Sequence, residues 1–550
     1  MRSALSIVAL GLTPVLFGGC ALIRGLGDFS FADETMPVPS TTEEEKEVAS
    51  EPSEAGVVEG CLTNRDCNAF ATLGGAAVAD AASPAICVKA THTCAALLSA
   101  DCSRYVGDPS NDDAIVLGAV LSEGDGKPNH ALEAAAFLAA EEINSANGAG
   151  GLPPTSADGT ARPLVVVGCN VSSDTLAATR HLASDLHVAA IVGPTSGEAV
   201  VDVTQQVTAK SGTLLMTPTS AVSAITNLAD DGLTWRTIPS DAQRAKLVIE
   251  QMNELETLLR STRSLTTVKL GVVVSTDASG TSARDAITGK LILNGRFITD
   301  AANEANVSLD AHQPGDTDSL SAIATKYAVT FKPDIVFITA AQQIVDFIVP
   351  LEKALTAARA VYRPYYVITD AAKTDELIAT IAGSAVPSDT RRRIRGVGTK
   401  PDTSSAPVLA EFTTAFEARY GLALPSSTTA AAALSYDAMY AIAYAIAATP
   451  DQPLSGKSVA QGLRTLGVGD AAAVGAKDAR NVVNQLVSHK SVSLRGTFAS
   501  MSWDYSGDIQ AGTLDVWCIG TKDGAPAFGS SGLTMDVQTQ VVGGAYVQCQ

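Results

Sequence analysis

Basic residues are scarce in this chain of 550 residues: 38 Lys and Arg stand against 58 Asp and Glu, a formal charge of −20 with a pI near 4.7. Against this excess of acid a phosphate-backbone partner is disfavoured and no nucleic acid is expected. Aromatic residues make up only 5%, too few for stacking platforms that grip bases or sugars. Six histidines, at 92, 130, 181, 187, 312 and 489, show no HExxH or other ligand spacing. His181 and His187 sit around one helix end, off a common face, and read as surface residues. A GxSxG elbow is lacking, because Gly193-Pro194-Thr195-Ser196-Gly197 puts its serine one place too late. Gly456-Lys457-Ser458 lacks the first glycine of a phosphate loop, Asp451 standing in its place. Glu141 and Glu142 lie side by side on a helix and read as solvent-facing, so paired-carboxylate chemistry has no support. These absences exclude the common enzyme classes, and no enzyme and no cofactor are expected. After the N-terminus no stretch reads as a membrane span. The most apolar one, 428–448, carries Asp437 and three tyrosines and reads as a buried helix.

What is present begins with 46% hydrophobic residues, enough to fill a sizeable core and to exclude a wholly disordered chain. Residues 1–20 join a basic Arg2 to an apolar run from Ala4 to Phe17, too short to span, followed by Gly18, Gly19 and Cys20. This ending resembles a bacterial lipobox, with Phe17 where leucine is usual. The resemblance implies a signal peptide over 1–19, lipidation of Cys20, and a membrane partner held through the lipid anchor alone. It places the chain on the periplasmic side of a bacterial membrane. Ala21 after the cysteine is similar to an outer-membrane sorting signal. Residues 20–60 hold ten acids and two bases with three prolines, the composition of an acidic, disordered tether.

Eight cysteines remain after Cys20: Cys61, Cys67, Cys87, Cys94, Cys102, Cys169, Cys518 and Cys549. An even number in an oxidising compartment suggests up to four disulfides. Five of them fall between Cys61 and Cys102, which reads as a small stapled module over 61–111. Five is odd, so one reaches outside the module, and Cys102 with Cys169 is the candidate pair. Cys518 and Cys549, flanking the C-terminal tail, would pair with each other. Zinc is the competing reading, but no CxxC pair exists and only His92 lies nearby, so no metal is expected.

From residue 112 onward short apolar strands alternate with amphipathic helices. The pattern predicts strands at 115–120, 164–167, 189–192, 213–216, 269–274, 335–339 and 365–369. Helices are predicted between them, at 129–147, 174–186, 197–211, 241–260, 282–293 and 342–357. Regular alternation of this kind argues for parallel sheets with helices on both faces. Its length exceeds one doubly wound unit, which points to two lobes. Ligands of such sheets sit beyond the carboxyl ends of the strands. Two strand ends carry hydroxyl pairs there: Thr195 and Ser196 after the 189–192 strand, and Thr219 and Ser220 one unit later. Free amides and hydroxyls at these positions favour a carboxylate, while plain helix capping is the competing account.

The segments IVLGAVLSEGDG, ALEAAAFLAAEEINSANGAGGL and AAIVGPTSGEAVVDVTQQVTAKSGTLLMTPTSAVSAIT, followed in order by TWRTIPSDAQRAKLV, KPDIVFITAAQQIVDFIVPLEKA, ALSYDAMYAIAYAIA and MSWDYSGDIQAGTLDVW, resemble a known family. The chain is similar over about residues 112–520 to the type I periplasmic binding proteins, specifically the branched-chain amino-acid (Leu/Ile/Val-type) substrate-binding proteins of ABC transporters. The resemblance implies an α/β fold of two Rossmann-like doubly wound lobes joined by a three-crossing hinge near 237, 400 and 505. Lobe one would be 112–237 and 402–505, and lobe two 238–401 and 506–550. A small polar ligand, an amino acid or similar carboxylate, would be captured between them for an ABC permease. By position, Thr195, Ser196, Thr219 and Ser220 would hold the carboxylate. Asp370 would take an ammonium, unless it is a solvated loop aspartate. Two positions depart from the family pattern: Ala221 replaces a hydroxyl, and Ser279 before Gly280 replaces a tyrosine that closes over the ligand. They weaken an amino acid as the ligand without touching capture of a small polar molecule. The alternative is a ligand-sensing or partner-binding lipoprotein that keeps the fold without transport and uses the Cys-rich module for docking.

Overall fold

The computed structural model describes residues 60–67, 84–122, 130–146, 150–155, 159–170, 174–339 and 343–550. The expected signal peptide, Cys20 and nearly all of the tether lie outside these residues, as do 68–83 of the Cys-rich stretch. Everything described belongs to one compact unit running from Ala55 to Gln550.

Two large sheets organise it. The first contains β1 (Arg104–Val106), β2 (Ile115–Ser122), β3 (Leu164–Asn170), β4 (Ala190–Val192), β5 (Leu214–Thr217) and β6 (Thr234–Arg236), in the spatial order β1-β3-β2-β4-β5-β6. All neighbours are parallel except β1 against β3. The second contains β7 (Leu270–Ser275), β8 (Val307–His312), β9 (Ile335–Ile338), β10 (Tyr365–Thr369), β11 (Ile394–Lys400), β12 (Thr513–Lys522), β13 (Ala525–Asp536) and β14 (Val542–Gly543), ordered β8-β7-β9-β10-β11-β12-β13-β14. Its first five strands are parallel and its last three antiparallel. Strands such as β3, LVVVGCN, and β7, LGVVVS, are buried along nearly their whole length, which is why they read as continuous apolar runs rather than alternating ones. The strand order reverses direction at β2 in the first sheet and at β7 in the second, so the switch points fall at β2/β4 and at β7/β9.

The chain passes between the sheets three times, after β6, after β11 and before β12. Lys400, Thr237 and Gly512, one residue from each passage, line a common cavity together with Asp437. The core of the first sheet joins Leu117 and Trp235 to Phe412, Tyr440 and Leu494. The core of the second joins Leu247, Val272 and Phe337 to Val516 and Met535. Each hydrophobic core is thus built from chain segments separated by more than a hundred residues. The apolar helix Thr429–Ala448 lies within the first core, with Tyr440 and Tyr444 fully buried.

Four disulfides are present: Cys61–Cys87, Cys67–Cys94, Cys102–Cys169 and Cys518–Cys549. The sulfurs of Cys61, Cys67 and Cys87 lie within 4.8 Å of one another, but all three are committed to disulfides. The first two bonds clamp the hairpin Ala85–Val88/Thr93–Ala96 to the segment around Asn64. Asn64 is itself tied by its side chain to the carbonyls of Pro109 and Asn111, both at 2.9 Å, and to the Cys87 amide, also at 2.9 Å. Ile86, Leu97 and Cys102 share an apolar cluster with Val120, Val165 and Leu182. The module is therefore fused to the outer face of the first sheet.

Several expectations are corrected here. His181 is buried rather than superficial, its Nε2 standing 3.2 Å from the Leu97 carbonyl. Glu142 does not face solvent, because it accepts the hydroxyls of Tyr436 and Tyr440 at 2.5 and 2.6 Å. Burial raises its carboxyl above the ordinary range. The helix expected at 282–293 runs instead over Ala278–Thr288, since Asp277 caps it by accepting the Gly280 amide at 2.6 Å. Strand β8 and the helix Thr317–Lys326 after it were not anticipated.

Candidate functional site

Two walls face each other beyond the carboxyl ends of the strands. The first sheet contributes the loops after β4 and β5. Ser196 is exposed and caps the helix Gly197–Val203, its Oγ accepting the Ala199 amide at 3.2 Å. Capping is therefore what this hydroxyl does. Thr219 donates to the Thr195 carbonyl at 3.1 Å and ties the two loops together. Thr217 donates to the Pro194 carbonyl at 2.7 Å and accepts the Ser220 amide at 3.3 Å. Ser220 differs from these three. It is 3% exposed, caps no helix, and its Oγ has no hydrogen-bond partner among the described residues. A Cβ on Gly197 would stand 2.1 Å from Val222 Cγ2 and 3.2 Å from that Oγ, so only glycine lets Val222 and Ser220 pack against this helix start. The Ser223 Oγ, one turn further on, is likewise buried and without a partner among the described residues.

The second sheet contributes the starts of two helices and one strand end. Helix α1 (Asp241–Arg263) opens on a capping box between Ser240 and Gln243 directly after the first passage. This fixes the first turn, so that Asp241 and Arg244, three residues apart, share its inward face. Helix α2 (Ala278–Thr288) presents Ser282 inward. Ser279, in its first turn, is exposed. The Ser282 hydroxyl donates to Asp241 at 2.7 Å and accepts the Ser223 amide at 2.8 Å. One serine thus ties the second lobe to the loop of the first. Burial pushes the Asp241 carboxyl up to about 6, with Arg244 and the Ser282 hydroxyl pulling it back.

Asp370, just past β10, is met by Arg244, whose Nη1 stands 2.7 Å from its Oδ1. The Arg244 Nε donates to the Pro239 carbonyl at 3.0 Å. Its Nη2 is buried and has no partner among the described residues. A small cavity lined by Asp241, Arg244, Ala283, Phe337, Thr369 and Val397 adjoins the pair.

The structure thus brings Thr195, Thr219 and Ser220 together on one wall and places Asp370 on the other. It sets Ser196 and Ser279 outward and adds Arg244, Ser282, Ser223 and Asp241, none of which the sequence reading singled out. A signal existed for two of them. An Asp and an Arg at i and i+3, right behind a Ser/Gln capping box at a passage between lobes, have little reason to point at solvent. A site of neutral hydroxyls on one side and, on the other, an arginine nitrogen without a partner among the described residues can hold a small molecule rich in hydrogen-bond acceptors.

No protein-family model matches the sequence, and no curated protein matches it. Solved structures do match by shape. A "possible leucine/isoleucine/valine-binding protein" from Rhodopirellula baltica is 14% identical, with 77% of this chain and 98% of that one covered and a TM-score of 0.51. A leucine-binding protein from Thermotoga maritima is 15% identical, with 76% and 97% covered and a TM-score of 0.50. An extracellular ligand-binding receptor from Rhodopseudomonas palustris is 13% identical, with 76% and 99% covered and a TM-score of 0.50. The chain accordingly has the type I periplasmic binding fold, two Rossmann-like doubly wound lobes joined by a three-crossing hinge.

Proposed function

We propose that this chain is an extracytoplasmic solute-binding protein that captures a small polar ligand, an amino acid or similar carboxylate, between two lobes. The lobes comprise 112–237 with 402–505, and 238–401 with 506–550. The observation that supports the reading is that three buried polar atoms, Ser220 Oγ, Ser223 Oγ and Arg244 Nη2, have no hydrogen-bond partner among the described residues and lie on segments brought together where Ser282 joins Asp241 to the Ser223 amide. A buried donor left unmade costs about 1–3 kcal/mol, and a ligand bearing acceptors relieves that cost on binding. Closure follows from the same geometry. A ligand touching both walls favours the closed form by its differential contacts. Its delivery to an ABC permease, and anchoring through Cys20, complete the proposal. Lipidation is tested by the mass of the mature N-terminal peptide, with Cys20→Ser expected to leave the chain unlipidated.

The deciding experiment is thermal unfolding of the purified full-length chain against a panel of amino acids, amides and small carboxylates. A ligand at a hundredfold its Kd stabilises the fold by about 2.7 kcal/mol, a readable rise in Tm. Ser220→Ala is expected to remove the shift while leaving the unliganded Tm unchanged. A cooperatively folded protein that nothing in a broad panel stabilises sinks the capture reading.

A further inference from the structure

Within that capture reading, on which this step rests, we infer that the ligand is a carboxylic acid without an amine: a 2-oxo or 2-hydroxy acid rather than the corresponding amino acid. The observation is the state of the acids around the cleft. Asp370 would be the counter-ion of an ammonium, but its Oδ1 already takes the Arg244 guanidinium at 2.7 Å. Asp241 receives Ser282. Asp508 pairs with Arg236 at 2.7 Å and takes the Thr226 hydroxyl, also at 2.7 Å. Asp277 caps α2 and receives the Ser275 hydroxyl at 2.8 Å. Among the described residues, each of these four carboxylates is engaged by a cation, a hydroxyl or an amide. An ammonium placed between these walls would have to compete with those partners for a carboxylate, whereas an acceptor meets donors that have none.

The unpartnered groups point the same way. Arg244 Nη2 can only donate, since a guanidinium has five N–H donors and no acceptor. It is also permanently charged and would repel an ammonium held nearby. A 2-oxo acid offers acceptors alone: two carboxylate oxygens for the hydroxyl wall, and a keto oxygen for Arg244. In a 2-hydroxy acid the hydroxyl oxygen does the same. The carboxylate also gives the guanidinium a second anionic neighbour beside Asp370, a charge-assisted contact of the stronger kind.

Matched pairs test this directly, because each pair shares its skeleton and differs only at the amine. Isothermal titration of the full-length protein at neutral pH would use alanine and pyruvate, leucine and 4-methyl-2-oxopentanoate, phenylalanine and phenylpyruvate, and glutamate and 2-oxoglutarate. In whichever pair binds, the oxo acid is expected to bind at least tenfold more tightly. Arg244→Gln should lower its affinity at least tenfold. Asp370→Asn, which loosens the arginine without removing it, should lower it less and keep the oxo acid preferred. An amino acid that binds more tightly than its oxo partner overturns the inference and leaves the capture reading standing. So does an Asp370→Asn variant that selectively loses the amino acid, since Asp370 would then be the ammonium site. If no member of any pair binds, the inference fails, and the broader panel with Ser220→Ala decides whether the cleft reading fails with it. The pair ranking is read on the unaltered protein, so a variant that misfolds does not protect the idea.

Discussion

Arg236 and Arg244 stand eight residues apart on either side of the first passage between the lobes, both buried and both paired with an aspartate. Their surroundings differ in one respect. Each nitrogen of Arg236 is met by the protein: Nε by Asp508 at 2.7 Å, Nη1 by the Val222 carbonyl at 3.0 Å and Nη2 by Thr226 at 3.1 Å. Its carbonyl takes the indole of Trp503 at 2.7 Å, and its amide reaches Gly507 at 3.0 Å. It fastens the first passage to the third. Arg244 meets the Pro239 carbonyl and Asp370 and leaves Nη2 unpartnered among the described residues. Arg236 thus has a protein partner within 3.1 Å of each nitrogen, its Nε–Asp508 contact being an ion pair without an aligned hydrogen bond, whereas the Arg244 Nη2 meets none among the described residues and points to a group the free protein does not contain.

The largest expected effect separates the two. Arg236→Met strands Asp508 in the interior, and breaking a buried pair in this way costs about 3–5 kcal/mol. Arg244→Met leaves an Asp370 side chain that is 22% exposed and can draw in water, so the loss should be less than half as large. Urea unfolding of both variants measures the difference. Equal costs would remove the distinction between frame and site.

Asp437 sharpens the comparison by having no arginine at all. It is buried and, among the described residues, accepts only from Thr497, at 2.9 Å from the amide and 2.8 Å from the hydroxyl. Burial pushes its carboxyl up to about 7, the Thr497 donors pulling in the other direction. A raised folded-state value means that the folded protein keeps its proton after the unfolded chain has lost it. This contribution is therefore fully present below about pH 4. It declines as pH rises through about 7, by at most about 1.4 kcal/mol per pH unit. Asp437→Asn should flatten that part of the stability–pH profile between pH 5 and 8. An unchanged slope would show that the carboxyl titrates normally and that its two donors suffice without a cation.

Much of the frame was legible in sequence and the chemistry of the site was not, for one physical reason. Central parallel strands are buried on both faces, so β2, β3 and β7 announce themselves as apolar runs. The edge strand β8, VSLDAH, mixes exposed and buried positions and gave no such signal. Helix α2 was expected four residues late because Asp277 was not recognised as its cap. That offset matters functionally, since it turns Ser279 outward and Ser282 inward. Glu142 looked like half of a solvated acidic pair because its two tyrosine partners come from a helix almost three hundred residues away. Arg244 looked like one more charge on an amphipathic helix. Local pattern reports whether a residue is buried, but the partner that makes burial tolerable is set by topology.

Ser282 is the next test, now across the lobes rather than along the passage. It bridges Asp241 and the Ser223 amide, and Ser282→Ala removes both contacts. The loss of about 1 kcal/mol should appear mainly as a roughly fivefold shift toward open forms rather than as lost fold stability. Small-angle scattering of the unliganded protein reads it as a larger radius of gyration. An unaltered scattering curve would mean that the bridge does not hold the lobes.

The smallest effect is expected at Ser220, and the contrast with its neighbour makes it informative. Thr217 ends β5 and Ser220 follows three residues later in the loop after it, and both are buried. The Thr217 hydroxyl joins the Pro194 carbonyl to the Ser220 amide, so Thr217→Val should cost about 1 kcal/mol. The Ser220 hydroxyl has no partner among the described residues, and Ser220→Ala should change stability by no more than about 0.5 kcal/mol, with a small gain as the natural direction. The same alanine is the one expected to abolish the ligand-induced rise in Tm. A hydroxyl that contributes nothing to the empty protein and a great deal to the occupied one can be assigned to the ligand. If Ser220→Ala destabilises the empty protein as much as Thr217→Val does, the hydroxyl has an internal role, and the first wall loses the group on which the carboxylate assignment depends.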